Sequence, residues 1–290
     1  MMHLLSLIME LRMNYYKYIS ADNKSNFKLS ELIRYKDLIF LFVRRNFSLK
    51  YKQTILGPLW LIINPLLTSI VHLIVFGSIA KIGTDGIPQI LFYFTSTALW
   101  LYFSECVIIN STTFISNANL FGKVYFPRLI VPISNVISSF LKLVIQFILI
   151  LILLIYYSIN NLININLINY LFIIPILIVL GIMGMAIGLI VSSLTAKYRD
   201  LNVLVSFSMN LLMYGSCIVY PLSSLSNTWY THIIEVNPLT YLVEAFRYCL
   251  FNGGTINIYG LIYSIVFTLI VGIISFKLFN KVERTFIDTV

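Results

Sequence analysis

Six apolar stretches, near residues 59–80, 89–110, 134–157, 170–195, 203–222 and 258–279, occupy much of this 290-residue chain and leave it little freedom of fold. A bilayer has a hydrocarbon core roughly 30 Å thick and takes about 20 apolar residues per helix. Each stretch is long enough. In lipid every backbone N–H and C=O must be satisfied within the spanning structure, which selects helices over open strands. Composition agrees: 59% of the residues are hydrophobic and 11% are charged, against about a quarter charged in a soluble domain. The expected fold is an all-α integral membrane protein with six transmembrane helices, the transmembrane domain covering residues 58–290.

The net charge of +9 is distributed as a topology signal. With an even number of spans both termini lie on one side, and taking that side as cytoplasmic places 18 of the 20 Lys and Arg residues inside. Ten precede the first span; Lys123, Arg128, Lys142, Lys197, Arg199, Lys277, Lys281 and Arg284 follow, and Lys81 and Arg247 fall outside. Cytoplasmic loops carry such an excess, so the same charge needs no nucleic-acid partner. Residues 1–30 read as a poorly ordered cytoplasmic leader, because the apolar run at their start is broken by Glu10 and Arg12 and lacks a basic n-region.

Residues 31–57 read as an amphipathic cytoplasmic interface helix. Leu32, Tyr35, Ile39, Phe42 and Val43 recur at helical spacing beside Arg34, Lys36, Arg44, Arg45, Lys50 and Lys52, a pattern suited to membrane lipids with anionic headgroups. Gly57-Pro58 then divides this helix from the first span. Residues 111–132 begin too polar to span and predict a short cytoplasmic helix and turn. Residues 223–257 are amphipathic but interrupted, and predict short re-entrant or interfacial helices between spans five and six. The third span reads as apolar all round and lipid-facing. In the fourth, Gly181, Gly184 and Gly188 make a close-packing face, expected to serve packing within the chain.

Several chemistries are excluded. There is no GxxxxGK[ST]; Gly122-Lys123 is followed by Val and lacks the upstream glycine, so no loop cradles nucleotide phosphates. No cytoplasmic acidic cluster offers a Mg²⁺ site for glycosyl transfer, and no cofactor is expected in this chain. The three cysteines and three histidines are scattered, which argues against a metal site or disulfide framework. Glu105 is the acid well inside a span. One acid makes no proton relay, and a structural role facing the bundle interior or the lower channel is expected.

Three spans carry polar and aromatic stripes. Trp60, Asn64, Thr68 and His72 follow at four-residue steps; Tyr93, Thr97, Trp100 and Ser104 repeat on the second; Ser206, Asn210, Tyr214, Cys217 and Tyr220 on the fifth. Unpaired polar groups in lipid are costly, so the stripes are expected to point inward. For any one residue, interhelical hydrogen bonding is an equal explanation, and the interfacial Trp/Tyr belt accounts equally for Trp60 and Tyr220. Together they favour an internal polar path. Aromatic faces take the C–H face of a sugar while hydroxyls and amides bond its oxygens.

The segments KYKQTILGPLWLIINPLLT (50–68), NANLFGKVYFPRLIVPIS (117–134), AKYRDL (196–201), IVYPLS (218–223) and NPLTYLVEAFR (237–247), in that order, resemble the permease subunits of ABC-2 polysaccharide exporters: Wzm-type O-antigen exporters and their teichoic-acid and capsule relatives. The resemblance covers residues 30–290, nearly the whole chain. It implies a homodimer of six-span subunits in the cytoplasmic membrane with two copies of a separate ATPase, which binds the ATP and Mg²⁺, and a lipid-linked polysaccharide as substrate. It implies that residues 112–125, with Asn117, Asn119 and Lys123, dock on the ATPase, aided by Arg44 and Arg45 of the interface helix, and that 223–257 form an outer gate. It places the polymer path between protomers, lined by the first, second and fifth spans. One departure is TSTALW (95–100), where relatives often show a Gly/Leu/Pro-rich turn. A drug exporter of the same type remains open, and a membrane-embedded glycan-assembly enzyme would need carboxylate clusters that the sequence lacks.

Overall fold

The computed structural model describes residues 33–51, 56–124, 126–163, 166–198, 200–225 and 229–286; the leader expected over residues 1–30 lies outside them. Among the described residues the regular structure is entirely helical. Helix α1 (Lys36–Tyr51) precedes a 3₁₀ turn at Gly57–Leu59. Gly57 has φ +51°, a left-handed value that glycine adopts without penalty, and Pro58 then starts the turn into α2 (Trp60–His72). A π-helical segment, Leu73–Ile79, extends α2. There follow α3 (Gln89–Ser111), the single turns α4 (Thr113–Ser116) and α5 (Ala118–Phe121), α6 (Ile130–Ile159), α7 (Ile173–Thr195), α8 (Leu201–Tyr214), the short α9 (Trp229–Val236) and α10 (Pro238–Phe251), and α11 (Ile258–Phe286).

Among the described residues five helices are long and apolar enough to cross a membrane: Gly57–Ile79, Gln89–Ser111, Ile130–Ile159, Asn169–Thr195 and Ile258–Glu283. The fifth expected span, 203–222, differs. Its helix α8 has 14 residues and so rises about 21 Å. The chain unwinds at Gly215, and Cys217 takes φ +52°. The freed backbone is satisfied locally: the Asn237 side-chain amide donates to the Gly215 carbonyl at 2.8 Å and to the Ser216 hydroxyl at 2.9 Å. Hydropathy runs on through this segment while helix does not, which is why the sequence alone overextends it.

Helix α3 is the axis of the bundle. Residues 91–100 are all buried, and α2, α6, α7 and α8 pack around it. It stays a single helix through TSTALW, with Trp100 5% exposed and its ring 5.8 Å from that of Phe103. The glycine face of α7 packs within the chain, against α3. A Cβ on Gly184 would stand 2.8 Å from Cys106 Cβ, and one on Gly188 would stand 2.8 Å from the Val107 carbonyl oxygen. Small residues here let the two backbones approach in the absence of a hydrophobic driving force.

The third span corrects its reading. Helix α6 exposes Ile137, Leu141, Val144, Ile148, Ile152 and Ile155 but buries Ser134, Ser138, Lys142, Gln146 and Ile150 at four-residue steps. It is lipid-facing on one side only. Lys142, counted from sequence among the cytoplasmic cations, lies near the middle of α6 and bonds Glu105 of α3 at 2.5 Å. Desolvation of an ammonium in this setting is tolerable because the carboxylate neutralises it.

Candidate functional site

The three stripes do not converge inside the chain. On α2, Trp60 and Asn64 are exposed, Thr68 is half-buried with its hydroxyl on the Asn64 carbonyl at 3.0 Å, and His72 is buried. On α3, Tyr93, Thr97, Trp100 and Ser104 are all buried. On α8, Ser206, Asn210 and Tyr214 are exposed; in the unwound segment after it, Cys217 is buried and Tyr220 half-buried. Within the single chain the α3 stripe, His72 and Cys217 are buried, whereas Trp60, Asn64, Ser206, Asn210 and Tyr214 lie on its outer surface. An exposed hydroxyl or amide on a helix can be quieted by its own turn, as Ser206 does by donating to the Asn202 carbonyl at 3.2 Å.

Two contacts join the stripes. His72 Nδ1 lies 3.2 Å from Thr97 Oγ1, joining α2 to α3. The rings of Phe76 and Tyr214 lie 6.3 Å apart, joining the π-helical end of α2 to α8. The Tyr220 hydroxyl reaches back to the Tyr214 carbonyl at 2.5 Å. Tyr93, at 0% exposure, has a hydroxyl with no hydrogen-bond partner among the described residues. The result is a partly polar outer face on α2 and α8, both leaning on the buried polar face of α3.

At the end of the bundle where α6 starts and α11 ends, Asn119 and Lys123 are exposed beside Asn117, whose side chain donates to the Thr113 carbonyl at 3.0 Å. Arg44 is exposed. Arg45 is half-buried over the Phe42 ring at 4.6 Å, and burial lowers its pKa from the ordinary arginine value. Sequence reasoning missed the aromatic chain beneath these residues. Phe42 of α1 meets Phe126 at 5.7 Å, Phe126 meets Phe121 at 5.8 Å, Phe121 meets Phe114 at 6.3 Å and Phe114 stacks on Phe279 of α11 at 4.7 Å. Arg128 covers Phe121 at 5.4 Å and bonds the Glu283 carbonyl at 2.7 Å. Helix α1 is further tied to the bundle by Asn46, which donates to Asn135 Oδ1 at 3.0 Å, while Asn135 donates to Asn110 Oδ1 at 3.1 Å. Only the spacing of aromatics in FGKVYF hinted at this.

At the opposite end, α10 packs 11 buried residues into the bundle without crossing it. Arg247, counted from sequence on the outer side of the membrane, is buried, at 1% exposure. It pairs with Glu244, donates to Ser96 Oγ at 3.3 Å and lies over the Phe92 ring at 4.3 Å. Glu244 also accepts the Leu222 amide at 2.9 Å, and Asp85 accepts the Ser223 hydroxyl at 2.5 Å. The segment after α8 is thus tied to α10 and to the turn before α3.

Three curated relatives align with most of this chain. The O-antigen export system permease protein RfbA of Klebsiella pneumoniae is 29% identical over 255 residues, 87% of this chain and 94% of its own. A protein of the same name from Myxococcus xanthus is 25% identical over 219 residues, 75% of this chain and 81% of its own. The polysialic acid transport protein KpsM of Escherichia coli is 24% identical over 247 residues, 84% of this chain and 93% of its own. The ABC-2 type transporter family profile matches residues 37–251, from α1 to the end of α10, and the chain belongs to that family.

Proposed function

We propose that this chain is the permease subunit of an ABC exporter that moves a lipid-linked polysaccharide, of the O-antigen type, out across the cytoplasmic membrane. ATP is hydrolysed on a separate subunit, since no phosphate-binding loop is found in this sequence. Both termini are cytoplasmic, and taking Lys142 out of the charge tally leaves the bias unchanged. The relatives' names favour polysaccharide over drug efflux and leave O-antigen, capsule and teichoic-acid cargo as alternatives.

The observation that carries the reading is the outer face of α2 and α8. Asn64, Asn210 and Tyr214 are exposed on a single chain, where lipid would leave polar groups unsolvated. A second copy placed on this face would bury it and enclose a path with Trp60 and Tyr214 as aromatic surfaces for sugar rings. Closure of an ATPase dimer would press on residues 117–123 and α1. Rigid-body rocking of the two protomers then advances the polymer, powered by the ATPase's differential affinity for ATP between two states.

Deletion of the gene tests this directly. Lipid-linked polymer is expected to accumulate on the cytoplasmic side while surface polymer is lost. Normal surface glycan with no internal accumulation overturns the reading.

A further inference from the structure

The first span contains a proline six residues into α2, and its consequence falls on another helix. Pro65 has no N–H, so the Leu61 carbonyl, four residues earlier, loses its helical donor, and the proline ring pushes that carbonyl aside. Leu61 is 5% exposed, so water cannot take the donor's place. Around it the helix is well supplied: the Thr68 hydroxyl donates to the Asn64 carbonyl at 3.0 Å and the Ser69 hydroxyl to the Pro65 carbonyl at 2.6 Å. The Leu61 carbonyl needs a donor from outside the helix, and Gln146 of α6 gives it. Gln146 Nε2 donates to the Leu61 oxygen at 3.1 Å, with the side chain 6% exposed. Its other atom, Oε1, has no partner among the described residues, so this one bond orients the amide. Above and below it on α6, Lys142 and Ile150 are buried on the same face.

We infer that Gln146 is a positioning residue for the candidate path: it replaces the hydrogen bond that Pro65 removes, and so fixes the direction of the first turn of α2, which carries Trp60 and Asn64. The inference rests on the proposed reading for what that turn does, but not for how it is held. The geometry of α2 around Pro65 is thus held jointly by α2 and α6. Without the amide, a buried carbonyl stands unsatisfied beside the proline, and the first turn shifts to satisfy it.

A proline suppressor separates this from simple destabilisation. In the complete complex carrying Asn64→Cys, labelled with a small maleimide, the three native cysteines are buried and contribute little. Gln146→Leu is expected to change the labelling rate severalfold and to lower polymer export by about tenfold. Adding Pro65→Ala restores a backbone amide at position 65, and both readouts are expected to return to those of Pro65→Ala alone. If Gln146→Leu alone fails to accumulate, recovery of accumulation in the double variant is the same result. Unchanged labelling in Gln146→Leu overturns the inference, as does a double variant that behaves like Gln146→Leu. Export is read in parallel in complexes that keep Asn64; a wild-type complex that exports no polymer would sink the transport reading while leaving the role of Gln146 decided by labelling in the Asn64→Cys background.

Discussion

Arg247 and Glu244 form a buried pair in which neither charge is tolerated without the other. With 1% exposure Arg247 cannot reach water, and Glu244 at 5% cannot either. Arg247→Met should therefore leave a buried carboxylate uncompensated and lower stability by about 3–5 kcal/mol, read as a fall in the unfolding midpoint in detergent. Glu244→Gln with Arg247→Met should recover most of it. Gly188 and Gly272 make a second contrast at this scale. A Cβ at Gly188 meets Asn110 Cβ at 2.7 Å and a backbone oxygen at 2.8 Å, whereas one at Gly272 meets nothing within 4 Å. Gly188→Ala is expected to cost roughly 1–3 kcal/mol and Gly272→Ala to be neutral or mildly stabilising, measured in the same assay.

Among the elements, α6 shows what a sequence tells and where it stops. Residues 140–157 are apolar enough to define a span without ambiguity, yet Ser134, Ser138, Lys142 and Gln146 already sat four apart in the sequence. Their shared face was masked by the aliphatic residues between them, and averaging over a window hides a single polar stripe. Helix existence, the glycine face of α7 and the break at Gly57-Pro58 were legible because each depends on local chemistry. The end of α8 was not, because Gly215 and Asn237 cooperate across 22 residues. The candidate path was legible as stripes but not as directions. Which side of a helix is covered depends on neighbours, and only the coordinates show α8 presenting Ser206 and Asn210 outward. Helices α4 and α5 carry their own expectation. Exposed Asn119 and Lys123 contribute little to packing, so Asn119→Ala and Lys123→Glu should leave expression intact while uncoupling ATP hydrolysis from export in the complete complex; normal coupling in both would remove this surface from the docking site.

For the whole molecule, the outer face of α8 and the outer face of α11 make opposite predictions. Leu211 and Ile270 are comparably exposed, at 57% and 53%, but only α8 belongs to the proposed contact between copies. Leu211→Cys should give a disulfide-linked dimer on oxidation in membranes and Ile270→Cys should not; the reverse pattern would place the second copy elsewhere. The pairing of Lys142 with Glu105 carries a consequence for how the protein is made. A lysine near the centre of a spanning helix opposes insertion by about 2.5–3.5 kcal/mol, and its neutralising partner sits on the preceding spanning helix, α3. Insertion of α6 is then expected to depend on α3 already standing beside it. In a chain truncated after α6, Glu105→Ala should reduce insertion of α6, scored by a glycosylation or protease-protection reporter, while the α3 span inserts as before.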